Sequence, residues 1–256
     1  MTITPTPATE PAAANLQLDD PGDEVERILM VMAHPDDVDF GSAGSVAYWT
    51  DRGIEVVYCI VTDGDAGGSD LSVSRTDMAV IRREEQTEAA AAVGVKDVTF
   101  LGYPDGRLMP SIELRRDVSR EIRRVRPSRV VCQSPERMWD RLFASHPDHL
   151  AAGEATVCAV YPDARNPFAH PELLAEGFEP YTVPELWLVA TTSPNRAVDV
   201  TASFDRKVEA LLCHRSQVGE GTELASRLRS WLEPAGRAAG LPEGGLAETF
   251  KVVATG

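Results

Sequence analysis

The sequence is short of the features that mark an exported, membrane-inserted or nucleic-acid-bound chain. Four cysteines occur in 256 residues, Cys59, Cys132, Cys158 and Cys213, and none belongs to a C-x-x-C pair. That argues against a disulfide-stapled scaffold and fits a reducing compartment. Cys59 and Cys132 lie inside apolar, strand-like runs, where a thiol packs as a small hydrophobe. Residues 1–24 carry no Lys or Arg and no apolar core segment, so no secretory signal is expected. No apolar stretch approaches the roughly 20 residues needed to span a bilayer. Basic surplus is missing as well: 25 Lys and Arg stand against 40 Asp and Glu, for a formal charge of −15. Non-specific nucleic-acid binding needs the opposite balance. The expectation is a cytoplasmic protein with neither membrane nor nucleic acid as partner.

What is present is ordinary globular composition, 43% hydrophobic and 25% charged, in a length that suits one α/β domain. Residues 1–24, rich in Thr, Pro and Ala, read as a disordered or loosely attached arm, leaving 25–256 as the domain. Apolar runs at 27–33, 54–62, 98–101 and 129–133 predict four strands, with 185–190 a fifth and 197–200 a sixth. Helical spacing is found over 40–52, 76–93, 111–126, 148–160, 204–217 and 221–239, with Gly53 and Gly94 as stops. Strand alternating with helix predicts a Rossmann-like, doubly wound, largely parallel sheet with helices on both faces.

In such sheets ligands bind at the carboxyl ends of strands. Two His-Pro-Asp segments fall there: His34-Pro35-Asp36-Asp37 after the first strand and His146-Pro147-Asp148-His149 after the fourth. One such tripeptide is readily a turn with a capping aspartate. Two, together holding three of the five histidines, point to a metal site. Imidazole and carboxylate are both good zinc ligands, and a catalytic zinc takes three protein ligands and keeps an open position. His34 and one of the two aspartates supply two; His146 or His149 supplies the third.

The run AHPDD (33–37), DFGSAGSVAYW (39–49), TDGDAGG (62–68), RREEQTEAAAAVGV (82–95), LGYPDGRL (101–108) and SHPDHLAAGEA (145–155) resembles the LmbE-like (PIG-L) family of zinc N-deacetylases. The similarity covers about residues 27–217. It implies His34, Asp37 and His149 as ligands of Zn2+, Asp36 as general base, His146 as acid or oxyanion stabiliser, and Asp148 as the carboxylate that orients His146. An Arg of the 76–93 helix reaches substrate in the family, which makes Arg82 and Arg83 equal candidates. Asp105, in a turn after the third strand, is a candidate sugar-hydroxyl acceptor, and His214 a candidate beside the pocket at a helix end. The loop 62–68 is expected over the pocket. Its acids and its lack of the Walker lysine speak against a phosphate loop. One departure stands out: Phe143, Ala144 and Ser145 occupy a stretch where some sugar deacetylases of the family carry a Tyr.

The resemblance implies hydrolysis of an N-acetyl amide on an N-acetylglucosaminyl-type small molecule. An amidase that removes a larger acyl group from a thiol–sugar conjugate shares all of this chemistry. A non-catalytic nucleotide-binding domain is a remote alternative, because His34-Pro35-Asp36-Asp37 stands where a G-x-G-x-x-G would follow the first strand. Family members assemble variously, so a homo-oligomer is an open expectation.

Overall fold

A computed structural model of the chain describes residues 16–68, 70–219, 221 and 223–256. In chain order its elements are β1 (Gln17–Leu18), β2 (Arg27–Met32), α1 (Asp37–Thr50), β3 (Glu55–Thr62), α2 (Arg75–Ala92), β4 (Asp97–Tyr103), α3 (Ile112–Val125) and β5 (Arg129–Gln133). A 3-10 turn (Trp139–Ser145) then leads into α4 (Pro147–Cys158). There follow α5 (Pro171–Ala175), β6 (Glu185–Val189), β7 (Arg196–Asp199), α6 (Phe204–Cys213), α7 (Arg215–Val218), α8 (Leu224–Ala238) and β8 (Ala247–Ala254).

The strands form a sheet in the order β1-β7-β8-β6-β5-β2-β3-β4. The pairs from β6 through β5, β2 and β3 to β4 are all parallel. β8 runs antiparallel to both neighbours, meeting β6 through Lys251–Ala254 and β7 through Ala247–Phe250. Strand order reverses between β2 and β5, so the loops after these two strands diverge at the switch point where doubly wound sheets bind ligands.

The central strands are apolar on both sides because both sides are covered. Ile28, Met30 and Met32 of β2 enter one core with Val46, Ala89, Leu211 and Leu228 of α1, α2, α6 and α8. Leu29 and Val31 enter the other with Leu114 and Val118 of α3 and Ala152 and Ala155 of α4. Complete burial of each such large aliphatic side chain contributes about 1.5–3 kcal/mol. Ser74 caps α2 by accepting the Asp77 amide at 3.1 Å, which fixes the helix that later delivers Arg82 and Gln86.

Several elements differ from the sequence expectations. Helix α1 starts at Asp37 rather than residue 40. The helix expected over 204–217 breaks at His214, whose ψ of 59° separates α6 from α7. β8 has no counterpart among the expected strands: its buried Glu248 and its Lys251 interrupt the apolar pattern. Of the arm expected over 1–24, residues 1–15 lie outside the described residues. Gln17–Leu18 pairs with Arg196–Ala197, and buried Asp19 accepts Trp49 Nε1 and Arg129 Nη1, each at 3.0 Å. Order therefore begins before Val25. Cys59 and Cys132 are buried and all four thiols are free. No helix among the described residues is long and apolar enough to cross a membrane.

Candidate metal centre

The end of β2 turns through His34-Pro35-Asp36-Asp37 into α1. Asp36 sits in the left-handed region at φ 87°, ψ −24°, a conformation that costs a non-glycine residue on the order of 1–3 kcal/mol. Two residues of α2 hold it there. Arg82 Nη2 donates to the Pro35 carbonyl at 2.5 Å and to Asp36 Oδ2 at 3.1 Å, and the Asp36 amide donates to Gln86 Oε1 at 2.8 Å. Gly64, at φ 62°, accepts Arg82 Nη1 through its carbonyl at 3.0 Å. A Cβ there would collide with that guanidinium, so the glycine is what lets Arg82 pass beneath the loop.

Asp37 joins the two strand ends. Gln133, the last residue of β5, donates Nε2 to Asp37 Oδ2 at 2.8 Å and accepts the Ala33 amide at 3.0 Å. His34 Nδ1 lies 3.2 Å and His149 Nε2 3.0 Å from the same carboxylate. His146 caps α4, its Nδ1 accepting the Asp148 amide at 3.2 Å. The three imidazoles have ring centroids 5.0, 5.2 and 5.4 Å apart. From the loop after β4, Asp105 brings Oδ1 to 3.0 Å from His34 Nε2.

Four carboxylates thus surround this cluster, and among the described residues Arg82 is the permanent cation in direct contact with one of them. For His34, burial opposes the charged form, yet hydrogen bonds to Asp105, Asp148 and Asp37 outweigh it and raise the imidazole pKa to about 12. Burial, reinforced by the charge of Asp37, pushes Asp36 up to about 7, against the pull of Arg82. Burial would also raise Asp37, but His149 and His34 hold it well below the usual carboxylate range. His146 moves down through burial and the charge of His34; an imidazole at a helix N-terminus is disfavoured as a cation.

The donor set suits a divalent cation. Ring nitrogens of His34, His146 and His149 lie within 4.8 Å of one another, as do donor atoms of His34, Asp105 and Asp148. Mixed imidazole and carboxylate donors of this kind suit zinc.

The candidate residues separate clearly. Arg82 is buried and serves Asp36, whereas Arg83 is half-exposed and pairs bidentately with Asp63 at 2.8 Å. Asp105 lies inside the cluster, nearer its centre than a turn aspartate implies. Asp148 does not orient His146 through its carboxylate. That group instead accepts the Gly106 and Leu108 amides at 2.7 and 3.2 Å and faces His34 Nε2 at 3.3 Å, because capping by His146 turns the Asp148 side chain inward. His214 is not at the pocket either: wholly buried, it places Nε2 2.8 Å from Asp39 Oδ2, since the α6–α7 break points it under α1. Gln133 and Gln86 are additional to the residues expected from sequence. Their position, a lone polar residue closing an apolar strand and a glutamine on the inner face of α2, was the available signal.

A histidine–carboxylate centre at the switch point of a doubly wound sheet defines a class of α/β proteins with a metal-competent active-site edge. Within it, residues 29–160 match the model of the PIG-L family, GlcNAc-PI de-N-acetylase. The chain is 32% identical over 206 residues, 80% of its length and 75% of the relative's, to the diacetylchitobiose deacetylase of Thermococcus kodakarensis. It is 31% identical over 197 residues to a probable N-acetyl-alpha-D-glucosaminyl L-malate deacetylase 2 of Bacillus cereus, covering 74% of this chain and 83% of that one. The solved N,N'-diacetylchitobiose deacetylase of Pyrococcus horikoshii superposes with a TM-score of 0.83 at 31% identity, covering 90% of this chain and 85% of the other. The chain belongs to the PIG-L (LmbE-like) family, and these relatives are deacetylases.

Proposed function

We propose that this protein is a zinc-dependent N-deacetylase acting on a small N-acetylglucosaminyl-type conjugate. The observation that carries the reading is the convergence of His34, His146, His149 and the Asp36–Asp37 pair at the switch point, in a chain whose relatives deacetylate amino sugars. His34, Asp37 and His149 would hold the ion, since Asp37 touches both imidazoles and is itself fixed by Gln133. A bound divalent cation supplies Lewis acidity toward the amide carbonyl and makes water more acidic.

The remaining steps belong to the chain's own side chains. Asp36, partly buried and raised to about 7, accepts the proton of the attacking water; a base is most effective when its pKa lies near the working pH. His146 has Nδ1 occupied by the Asp148 amide, so its neutral tautomer carries the proton on Nε2. That N–H donates to the carbonyl oxygen as negative charge develops. The amine leaves after receiving from Asp36 the proton that the water gave up, since neutral His146 could give one only by becoming an imidazolate.

The test pairs metal analysis with amine release from a panel of N-acetyl amino sugars and longer N-acyl analogues. Asp36→Asn should bind metal as the parent does and lose about 10²–10⁴-fold in kcat, while His149→Ala should lose metal. Undiminished hydrolysis by Asp36→Asn, or a parent enzyme without stoichiometric metal, overturns the reading. Preference for long acyl groups would favour the amidase alternative.

A further inference from the structure

Beneath α1 lies a polar chain that no proposed catalytic step uses. Gln86, Asp39 and His214 are all wholly buried. Gln86 accepts the Asp36 amide through Oε1 at 2.8 Å and donates Nε2 to Asp39 Oδ2 at 2.9 Å. His214 Nε2 meets the same Oδ2 at 2.8 Å.

The direction of every bond in this chain is fixed by chemistry. The Asp36 amide can only donate, so Oε1 of Gln86 faces it; the Asp39 carboxylate only accepts, so Nε2 of Gln86 and a protonated Nε2 of His214 face that. His214 Nδ1 has no partner among the described residues. Lys207, also buried, donates to the Asp39 and Phe40 carbonyls at 2.8 Å and to Glu248 at 2.7 Å, which pins the first turn of α1 from below. Asp36 holds φ 87° and ψ −24°, away from the ordinary left-handed well even for an aspartate, so something outside the residue must define it.

We propose that Gln86, locked in one amide orientation by Asp39 and His214, is a positioning residue that holds Asp36 at the angle its proton transfer requires. Its side chain touches no reacting atom; it acts through the Asp36 backbone. The inference rests on Asp36 being the base. Displacement of a catalytic group by about 1 Å is enough to cost on the order of 10²-fold in rate, whereas substrate affinity depends on other contacts.

Gln86→Glu sets a carboxylate oxygen against Asp39 and should lower kcat about 10- to 100-fold with KM nearly unchanged. Adding Asp39→Asn reverses the polarity of the pair. The amide introduced at position 39 then donates to the carboxylate introduced at position 86, and His214 accepts in its other tautomer. The double variant Q86E/D39N should therefore recover most of kcat, which a merely structural role for Gln86 would not produce. Should Q86E fail to fold, Gln86→Met, neutral and of similar volume, carries the test, with the same loss in kcat at constant KM expected. Parental kcat in Q86E or Q86M, or a Q86E/D39N variant as impaired as Q86E, overturns the inference. Asp36→Asn serves as reference. If it is active, the assignment of the base has failed. If it is inactive while both Gln86 variants are unimpaired, only the positioning role has.

Discussion

His34 shows how much a single side chain depends on its company. Burial alone would keep its imidazole neutral, but Asp105, Asp148 and Asp37 raise its pKa to about 12. After chelation His34 therefore carries a proton throughout the neutral range, and a ligating imidazole must give it up. The sign follows: lowering pH favours the protonated form and weakens metal binding, by about tenfold per unit for each proton displaced. Calorimetric titration of the chelated protein with zinc, in buffers of different ionisation enthalpy, should show release of at least about one proton per ion. Uptake without proton release would remove His34 from the ligand set. The residue type and place of His34 were legible in the sequence, as were those of Asp36, Asp37, His146 and His149. Which carboxylate meets which ring was not, because Asp105 and Asp148 reach His34 from much later segments of the chain, Asp148 from 114 positions further along.

The elements that carry these residues are set by close backbone contact. Helix α4 brings His146 and His149 to the centre by lying directly on the end of β5. A Cβ on Gly153 would collide with the Gln133 carbonyl oxygen and stand 3.1 Å from the Pro135 nitrogen. Backbone atoms cannot swing aside as a side chain does, so Gly153→Ala must move the helix. The expected cost is about 1–3 kcal/mol, read as a lower denaturation midpoint, together with weaker zinc binding as His149 shifts. An unchanged midpoint would mean that α4 is less tightly seated than this contact implies. Strands β2, β3 and β5 were legible because burial on both faces leaves unbroken apolar runs. β8 was not: Glu248 is buried only because Lys207, Ser45 and the Gly44 and Ser45 amides satisfy it, and a local pattern contains no trace of those partners.

For the whole molecule, a cation held at this centre would be linked to the fold. A ligand that binds the native state alone adds about 2.7 kcal/mol at a hundredfold excess over Kd, and each kcal/mol moves the midpoint of a chain this size by about 2–4 °C. Saturating zinc should accordingly raise the melting temperature of the chelated protein by about 5–11 °C. The gain should vanish in His149→Ala and persist in Asp36→Asn; an identical midpoint with and without zinc would argue against an ion at this centre. The sequence by itself determined the alternation of strand and helix, the doubly wound class and the two His-Pro-Asp segments, since each rests on residues adjacent in the chain or spaced by one helical or strand period. Tertiary structure decided that Arg82 rather than Arg83 serves Asp36, that Asp148 faces His34 rather than His146, and that His214 lies under α1. Each of those outcomes depends on contacts between residues 46 to 175 positions apart, which only the packed sheet brings together.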